Sequence, residues 1–258
     1  MLSIKKVENG TMHMLNRRNF VLGLLSSSFI FNQSKGTSGH DNSSNLHNIE
    51  HYKSSEDVLI IVDMQNDFCP GGTLPVKNGD KVVEVINRIQ KKFQYIILTQ
   101  DWHPEDHSSF VTTNPQKEVF STKKMPYGNQ VIWPPHCIIG TKGAEFHKNL
   151  ITNKASFIIR KGFRKHIDSY SGFFENDRVT STGLDGILDS LNIKRVFVAG
   201  LALDFCVQYT AIDSSSLGYS TYVIQDATLP VNIGNSVQET MNNFKKNNVG
   251  FGKLEEFI

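Results

Sequence analysis

Three side chains in this sequence carry the groups needed for attack on a carbonyl carbon: Cys206, Asp63 and Lys161. Cys206 begins a predicted helix, where backbone N–H groups and the helix dipole favour a thiolate, so the sequence predicts a lowered thiol pKa. A thiol nucleophile also needs a proton acceptor, and a second group that keeps this acid ready to accept the proton. Asp63 and Lys161 are able to supply both. Each residue also has a purely structural alternative: Cys206 as a packed thiol, Asp63 as a carboxylate that caps a turn, and Lys161 as a solvated side chain.

A second set of residues has the donor atoms of a metal site. Asp101 and His103 form an Asp-x-His pair, and His136 lies in a Trp-Pro-Pro-His-Cys run. A carboxylate with two imidazoles suits a divalent transition metal, and three protein ligands leave positions open for water or substrate. These residues therefore indicate one divalent metal ion, with zinc as the first choice and iron or manganese as alternatives. Loop histidines that only form hydrogen bonds are the alternative to a metal site.

Hydrophobic patterns predict the elements that must position these residues. Apolar, largely β-branched runs predict five strands, at residues 58–62, 95–99, 157–160, 196–199 and 222–224. Helical stripes predict four helices, at residues 80–93, 184–191, 205–217 and 234–247, with a short strand near the C-terminal end. Strands that alternate with helices predict an α/β fold, in which helices cover both faces of a single doubly wound, mostly parallel sheet.

The reactive side chains fall at the ends of these predicted strands. In an open parallel sheet, ligands bind beyond the carboxyl ends of the strands, because loops and helix N-termini converge there. Asp63 follows the first strand, Asp101 follows the second and Lys161 follows the third, whereas Cys206 follows the fourth after a short loop. The sequence therefore predicts that an acid, the metal-binding pair, a cation and a thiol meet at one edge of the sheet.

Composition limits the classes of function that the chain can have. The 258 residues carry 27 Lys and Arg against 25 Asp and Glu, a net charge of +2. This balance provides no strong field to attract nucleic acid or an anionic membrane. The three cysteines are an odd number with no CxxC pair, so a disulfide framework is not expected and Cys69 and Cys137 are interpreted as packing residues. The expected partner is a small molecule, and the oligomeric state stays open.

The first 56 residues differ from the rest of the chain. Arg17 and Arg18 precede an apolar run of twelve residues, Phe20 to Phe31, which is too short to span a bilayer. The pattern over residues 1–31 resembles a twin-arginine export signal and predicts a periplasmic location. The alternative is an extension with a chance arginine pair, in a cytoplasmic protein. Residues 32–56 are rich in Ser, Asn and Gly and predict a flexible linker, which leaves a folded domain over residues 57–258.

Five separated motifs, in order along the chain, resemble those of the nicotinamidases in the isochorismatase-like cysteine hydrolase family. They are Val62–Gly72, Thr99–Pro104, Trp133–Cys137, Arg160–Gly162 and Gly200–Val207. The resemblance extends from about Val58 to the end of the chain, and chance agreement at all five motifs is very improbable. It implies the isochorismatase-like fold, with a Rossmann-like three-layer arrangement, for residues 57–258.

The resemblance also implies a role for each matching residue. It assigns Asp63, Lys161 and Cys206 to the catalytic triad, and it assigns Asp101, His103 and His136 to the metal. The side chains that would wall the substrate ring are Phe68, Trp133 and Tyr170. The oxyanion hole would consist of the backbone N–H groups of Ala202 and Cys206, with a cis peptide bond between Leu201 and Ala202. A further metal ligand stays open between His107 and Ser109.

The activity implied by the resemblance is hydrolysis of nicotinamide to nicotinate and ammonia through a cysteine thioester, a step of NAD salvage. The metal would bind the pyridine nitrogen. The main alternative is a related cysteine amidohydrolase for a carbamoyl or ureido substrate, which would need the triad but not the metal residues. An inactive binding module would have no reason to retain Cys206, and neither would a hydrolase that attacks with metal-bound water.

Overall fold

The computed structural model describes residues 54–258, so the predicted export signal and nearly all of the predicted linker lie outside the described residues. Six parallel strands form the main sheet. They are β1 (Asp57–Val62), β2 (Tyr95–Asp101), β5 (Phe157–Lys161), β6 (Arg195–Leu201), β7 (Ser220–Leu229) and β8 (Gly250–Gly252). All five predicted strands and the short C-terminal strand are present.

The order of the strands across the sheet is β5-β2-β1-β6-β7-β8. The chain builds outward from β1 through β2 to β5, and then returns to the other side of β1 to add β6, β7 and β8. The direction of winding therefore changes between β1 and β6, which is the place where ligands bind in doubly wound sheets. The predicted α/β class is confirmed.

Within residues 54–258, four α-helices connect or follow the strands, and each overlaps a predicted helix. They are α1 (Val82–Ile89), α2 (Leu184–Ser190), α3 (Gln208–Ser216) and α4 (Ser236–Lys246). In α1 the apolar side chains at positions 82, 86 and 89 are buried, because their spacing places them on one face. Among residues 54–258, none of the helices combines the length and the apolar character that crossing a bilayer requires.

A two-stranded antiparallel hairpin, β3 (Thr122–Met125) and β4 (Gly128–Val131), was not predicted. Its strands read Thr-Lys-Lys-Met and Gly-Asn-Gln-Val, which lack the alternation of apolar and polar residues that identifies a half-buried strand. The hairpin forms because backbone pairing and its buried Gln130 side chain hold it, not because it contributes an apolar face. It lies in the long stretch between β2 and β5, which also contains Trp133 and His136.

The core of the domain lies around β1 and β6, the two central strands. Every apolar side chain from Val58 to Val62 is fully buried, as expected for a strand covered on both faces. β5 lies at the outer edge of the sheet, so Phe157 and Ile158 stay exposed although they belong to a predicted strand. The residues that follow β1 and β6 are therefore attached to the two most central strands of the sheet.

Gly200 allows β6 to lie closely against β1. Its φ of +113° is unfavourable for other residues, and a Cβ atom there would lie 2.1 Å from the carbonyl oxygen of Val62. We therefore expect Gly200→Ala to lower the free energy of unfolding by about 2–4 kcal/mol. Chemical denaturation measures the change.

Gly186, in α2, is the matched control. No atom lies within 4 Å of a Cβ built at this position. Because alanine is the better helix former, Gly186→Ala should raise the free energy of unfolding by about 0.5–1 kcal/mol. If the two variants had the same stability, the close approach of β6 to β1 would not be what requires glycine at position 200.

Candidate active site

A buried lysine lies at the centre of the site. The Nζ atom of Lys161 is 2.8 Å from Oδ2 of Asp63, 2.6 Å from Oδ1 of Asp101 and 3.5 Å from Sγ of Cys206. It also donates a hydrogen bond to the carbonyl oxygen of Ser169 at 2.9 Å. The side chain is completely buried. The structure thus brings together the three residues predicted for the triad.

Each of these side chains is delivered by the carboxyl end of a different strand. Asp63 follows β1 directly, with a φ of 47°, and its Oδ1 accepts a 2.6 Å hydrogen bond from the hydroxyl of Thr99. Lys161 is the last residue of β5 and is paired in register with Asp101, the last residue of β2. Cys206 lies beyond β6, in the π-helical turn Leu203–Val207 that precedes α3.

Burial controls the ionisation of this cluster. It raises the pKa of the Cys206 thiol well above its ordinary value, although the charge of Lys161 opposes the shift. The predicted lowering of this pKa is therefore wrong, because burial together with the negative charges of Asp63 and Asp101 outweighs the charge of Lys161. Burial also raises the pKa of Asp63, against the effect of Lys161. Burial disfavours the charge on Lys161 itself, but Asp101 and Asp63 outweigh it and raise its pKa well above the ordinary value.

Asp101 joins this cluster to the two predicted metal-binding histidines. Its Oδ2 is 3.3 Å from Nε2 of His103 and 3.6 Å from Nε2 of His136, while its Oδ1 contacts Lys161. Burial alone would raise the pKa of Asp101, but Lys161 and His103 hold it well below its ordinary value. One carboxylate therefore faces the lysine with one oxygen and the histidines with the other.

The hydrogen bonds behind the histidines test whether this group fits a metal. Nδ1 of His103 bonds to the carbonyl oxygen of Gly162 and Nδ1 of His136 to that of Pro134, each at 2.8 Å. A carbonyl oxygen only accepts, so both Nδ1 atoms carry the hydrogen and both Nε2 atoms face the carboxylate. Backbone carbonyls behind metal-binding histidines orient the ring in this way. The candidate ligand atoms of Asp101, His103 and His136 are buried and lie within 4.8 Å of one another, so they fit a divalent transition metal.

The sequence left open whether His107 or Ser109 is a further metal ligand. In the structure these two side chains interact with each other. Nδ1 of His107 lies 2.7 Å from the Ser109 hydroxyl, and its Nε2 lies 3.3 Å from the carbonyl oxygen of Ile167. Burial, with the neighbouring His103, lowers the pKa of His107 to about 4, so the ring is neutral. Both of its nitrogens already have protein partners.

A cavity opens onto Cys206. The residues that line it include all three predicted to wall the substrate ring, Phe68, Trp133 and Tyr170, as well as Asp101, His136 and Ala202. Most of the lining is apolar and aromatic, as in pockets that bind planar small molecules. The nucleophile candidate and two of the metal-ligand candidates thus line one cavity.

Four further residues of the cavity wall were not predicted: Leu74, Asp168, Phe205 and Val231. Phe205 precedes Cys206, and its ring meets that of Trp133 edge-on at 4.8 Å between centroids. Its position beside the thiol is a signal from which it could have been found. Leu74 and Val231 carry no such signal, because both lie in irregular segments outside the five motifs.

The backbone ahead of Cys206 has the form that the resemblance implies. The peptide bond between Leu201 and Ala202 is cis. Ala202 and Cys206 both line the cavity. Cys69 and Cys137 are buried free thiols, outside the lining of this cavity.

Comparison with known proteins places these features in a family. The model of the isochorismatase domain matches residues 57–252. A nicotinamidase of Acinetobacter baylyi is 49% identical over 181 residues, which cover 70% of this chain and 85% of that protein.

Two solved structures have the same fold. The PnC1 protein of L. infantum in complex with nicotinate is 41% identical with a TM-score of 0.69, over 79% of this chain and 96% of that one. A pyrazinamidase of Pyrococcus horikoshii in complex with zinc is 33% identical with a TM-score of 0.64, over 77% and 99% of the two chains. With the domain matched along most of its length and the motif residues gathered around one cavity, the chain belongs to the isochorismatase family.

Proposed function

We propose that this protein is a nicotinamidase, an amidohydrolase that converts nicotinamide to nicotinate and ammonia in NAD salvage. The observation that carries the proposal is the contact of Lys161 with Asp63, Asp101 and Cys206, which joins a thiol, a proton acceptor and a metal-binding group at one cavity. The names of the similar proteins support the same activity. A cysteine amidohydrolase for a carbamoyl or ureido substrate would have no need for the buried Asp-His-His group.

In the first step, Asp63 takes the thiol proton and the sulfur of Cys206 adds to the amide carbon. A carboxylate oxygen of Asp63 and Sγ lie within 4.8 Å of each other, so little movement brings them into contact. Because burial raises the pKa of both groups, the thiol reaches the substrate protonated and Asp63 is a stronger base than an exposed aspartate. The backbone N–H groups of Ala202 and Cys206 would bind the oxyanion, each contributing about 3 kcal/mol in the transition state.

The remaining steps release ammonia and nicotinate and return the enzyme to its starting state. Asp63 gives its proton to the departing amine, so the C–N bond breaks, ammonia leaves and a thioester to Cys206 remains. Water then attacks the thioester carbon with Asp63 again as base, which releases nicotinate and restores the thiol. Throughout, Lys161 stabilises the ionised form of Asp63 through their 2.8 Å contact.

Asp101, His103 and His136 would hold one divalent cation, and zinc suits their one oxygen and two nitrogen donors. When bound, the cation would supply a Lewis acid for the lone pair of the substrate's pyridine nitrogen. Phe68, Trp133 and Tyr170 would enclose the ring, which fixes the carboxamide beside Cys206 and lowers the entropic part of the barrier. Pyridine carboxamides are therefore the substrate class.

Removal of the nucleophile tests the proposal directly. The purified chain should release ammonia from nicotinamide, and Cys206→Ala should lower kcat by at least about 1,000-fold because no thioester can form. Cys69→Ala is the matched control, since that thiol is also buried and lies outside the cavity, and it should retain activity. Substantial ammonia release by the Cys206 variant, folded like the unmodified protein, would remove the thiol from the mechanism.

Loss of a metal ligand should change both metal content and substrate preference. We expect His103→Ala to bind less metal and to raise KM for nicotinamide more than for an amide whose ring lacks nitrogen, because ring-nitrogen binding is lost. Metal analysis and steady-state kinetics measure the two effects. His166→Ala, an exposed histidine, is the control. Equal effects on both amides would argue against coordination of the ring nitrogen.

We further propose that residues 1–31 direct export of the folded protein to the periplasm. The support is the Arg17–Arg18 pair ahead of a weakly apolar run. Residues 1–55 fused to a reporter that folds before export should deliver it to the periplasm of a bacterium that has the twin-arginine route. Substitution of both arginines by lysine keeps the charge and should abolish delivery. A reporter found only in the cytosol would contradict the signal.

A further inference from the structure

Asp204 is a buried carboxylate with a set of contacts that the proposed reaction does not use. It is 3% exposed and lies two residues before Cys206, in the same π-helical turn. Its Oδ1 accepts a hydrogen bond from the backbone N–H of Val231 at 2.9 Å, and its Oδ2 accepts one from that of Asn232 at 2.8 Å. The Ser236 hydroxyl, at the start of α4, donates to the same Oδ2 at 2.5 Å.

These three donors belong to one segment, residues 230–236, which connects β7 to α4 and which we call the wall loop. Val231 lines the cavity that opens onto Cys206. The loop cannot follow a regular strand or helix, because Asn232 and Gly234 both have positive φ angles, 63° and 56°. In the described structure, Asp204 is the acceptor for the consecutive N–H groups of Val231 and Asn232.

The loop depends on this carboxylate for a physical reason. A part-buried backbone N–H group that loses its acceptor is destabilised, and a charged acceptor makes a stronger hydrogen bond than a neutral one. Ser236 reinforces the same arrangement, since its hydroxyl also accepts a hydrogen bond from the N–H of Ile233 at 3.0 Å. Without Asp204, the loop would lose the bonds that hold its backbone against the turn carrying Cys206.

We propose that Asp204 is a positioning residue that holds Val231 as a wall of the substrate cavity and thereby sets the affinity for the pyridine ring. This inference rests on the proposed nicotinamidase function. The expected effect of Asp204 is on substrate binding, because its hydrogen bond holds Val231, which lines the cavity. The chemical step depends on Asp63, Lys161 and Cys206, and in the described structure the Asp204 carboxylate forms its hydrogen bonds with Val231, Asn232 and Ser236 instead.

The test uses the full, metal-loaded chain and the variants Asp204→Asn and Ser236→Ala. Asparagine keeps the shape but offers one acceptor oxygen, so Asp204→Asn should raise KM for nicotinamide about 10-fold and change kcat by less than about 3-fold. Ser236→Ala should shift KM in the same direction by about 2- to 3-fold. The dissociation constant of nicotinate, measured by calorimetry, should rise in parallel, which gives a readout independent of turnover.

Asp57→Asn is the matched control, because Asp57 is equally buried but pairs with Arg195 at the opposite end of β1. It should lower stability without changing KM. The proposal is overturned if KM and nicotinate binding are unchanged in both test variants, or if kcat falls while KM stays constant. An unmodified protein that neither hydrolyses nicotinamide nor binds nicotinate would instead contradict the proposed function, and this inference with it.

Discussion

The ammonium group of Lys161 is a buried charge that the fold must neutralise. An isolated charge in such a place would be very costly, and the cost is offset only if opposite charges and hydrogen-bond acceptors surround it. Asp63, Asp101 and the carbonyl oxygen of Ser169 do this within 3 Å of Nζ. The ends of β1, β2 and β5 must therefore lie in one register, and that register is the framework of the candidate site.

Asp101 connects two kinds of chemistry because its two oxygens face different partners. Oδ1 contacts Lys161, beside the thiol and the proton acceptor, whereas Oδ2 faces the two histidines. One carboxylate thus links the two histidines proposed to bind metal to the lysine that contacts Asp63. The winding of the sheet supplies the remaining component, since its reversal between β1 and β6 places Cys206 beside this group.

Much of this arrangement follows from local pattern. The runs at β1 and β6 are continuous and apolar, so they identify buried parallel strands, and the rule for such sheets gathers the residues that follow them. The hairpin of β3 and β4 escaped prediction because apolar and polar residues do not alternate along either of its strands. The thiol pKa was predicted in the wrong direction, because the position of Cys206 along the chain indicates a helix start but not how deeply the sulfur is buried.

The sequence by itself determined the strands of the main sheet, the α-helices and the candidate reactive residues, because hydrophobic period and residue type are local properties of the chain. Only the tertiary structure decided the ionisation of the cluster and the walls of the cavity. Leu74, Phe205 and Val231 come from three segments distant in sequence, and they meet through packing. Desolvation and the distances between charges likewise depend on neighbours that folding brings together, and no single stretch of sequence contains them.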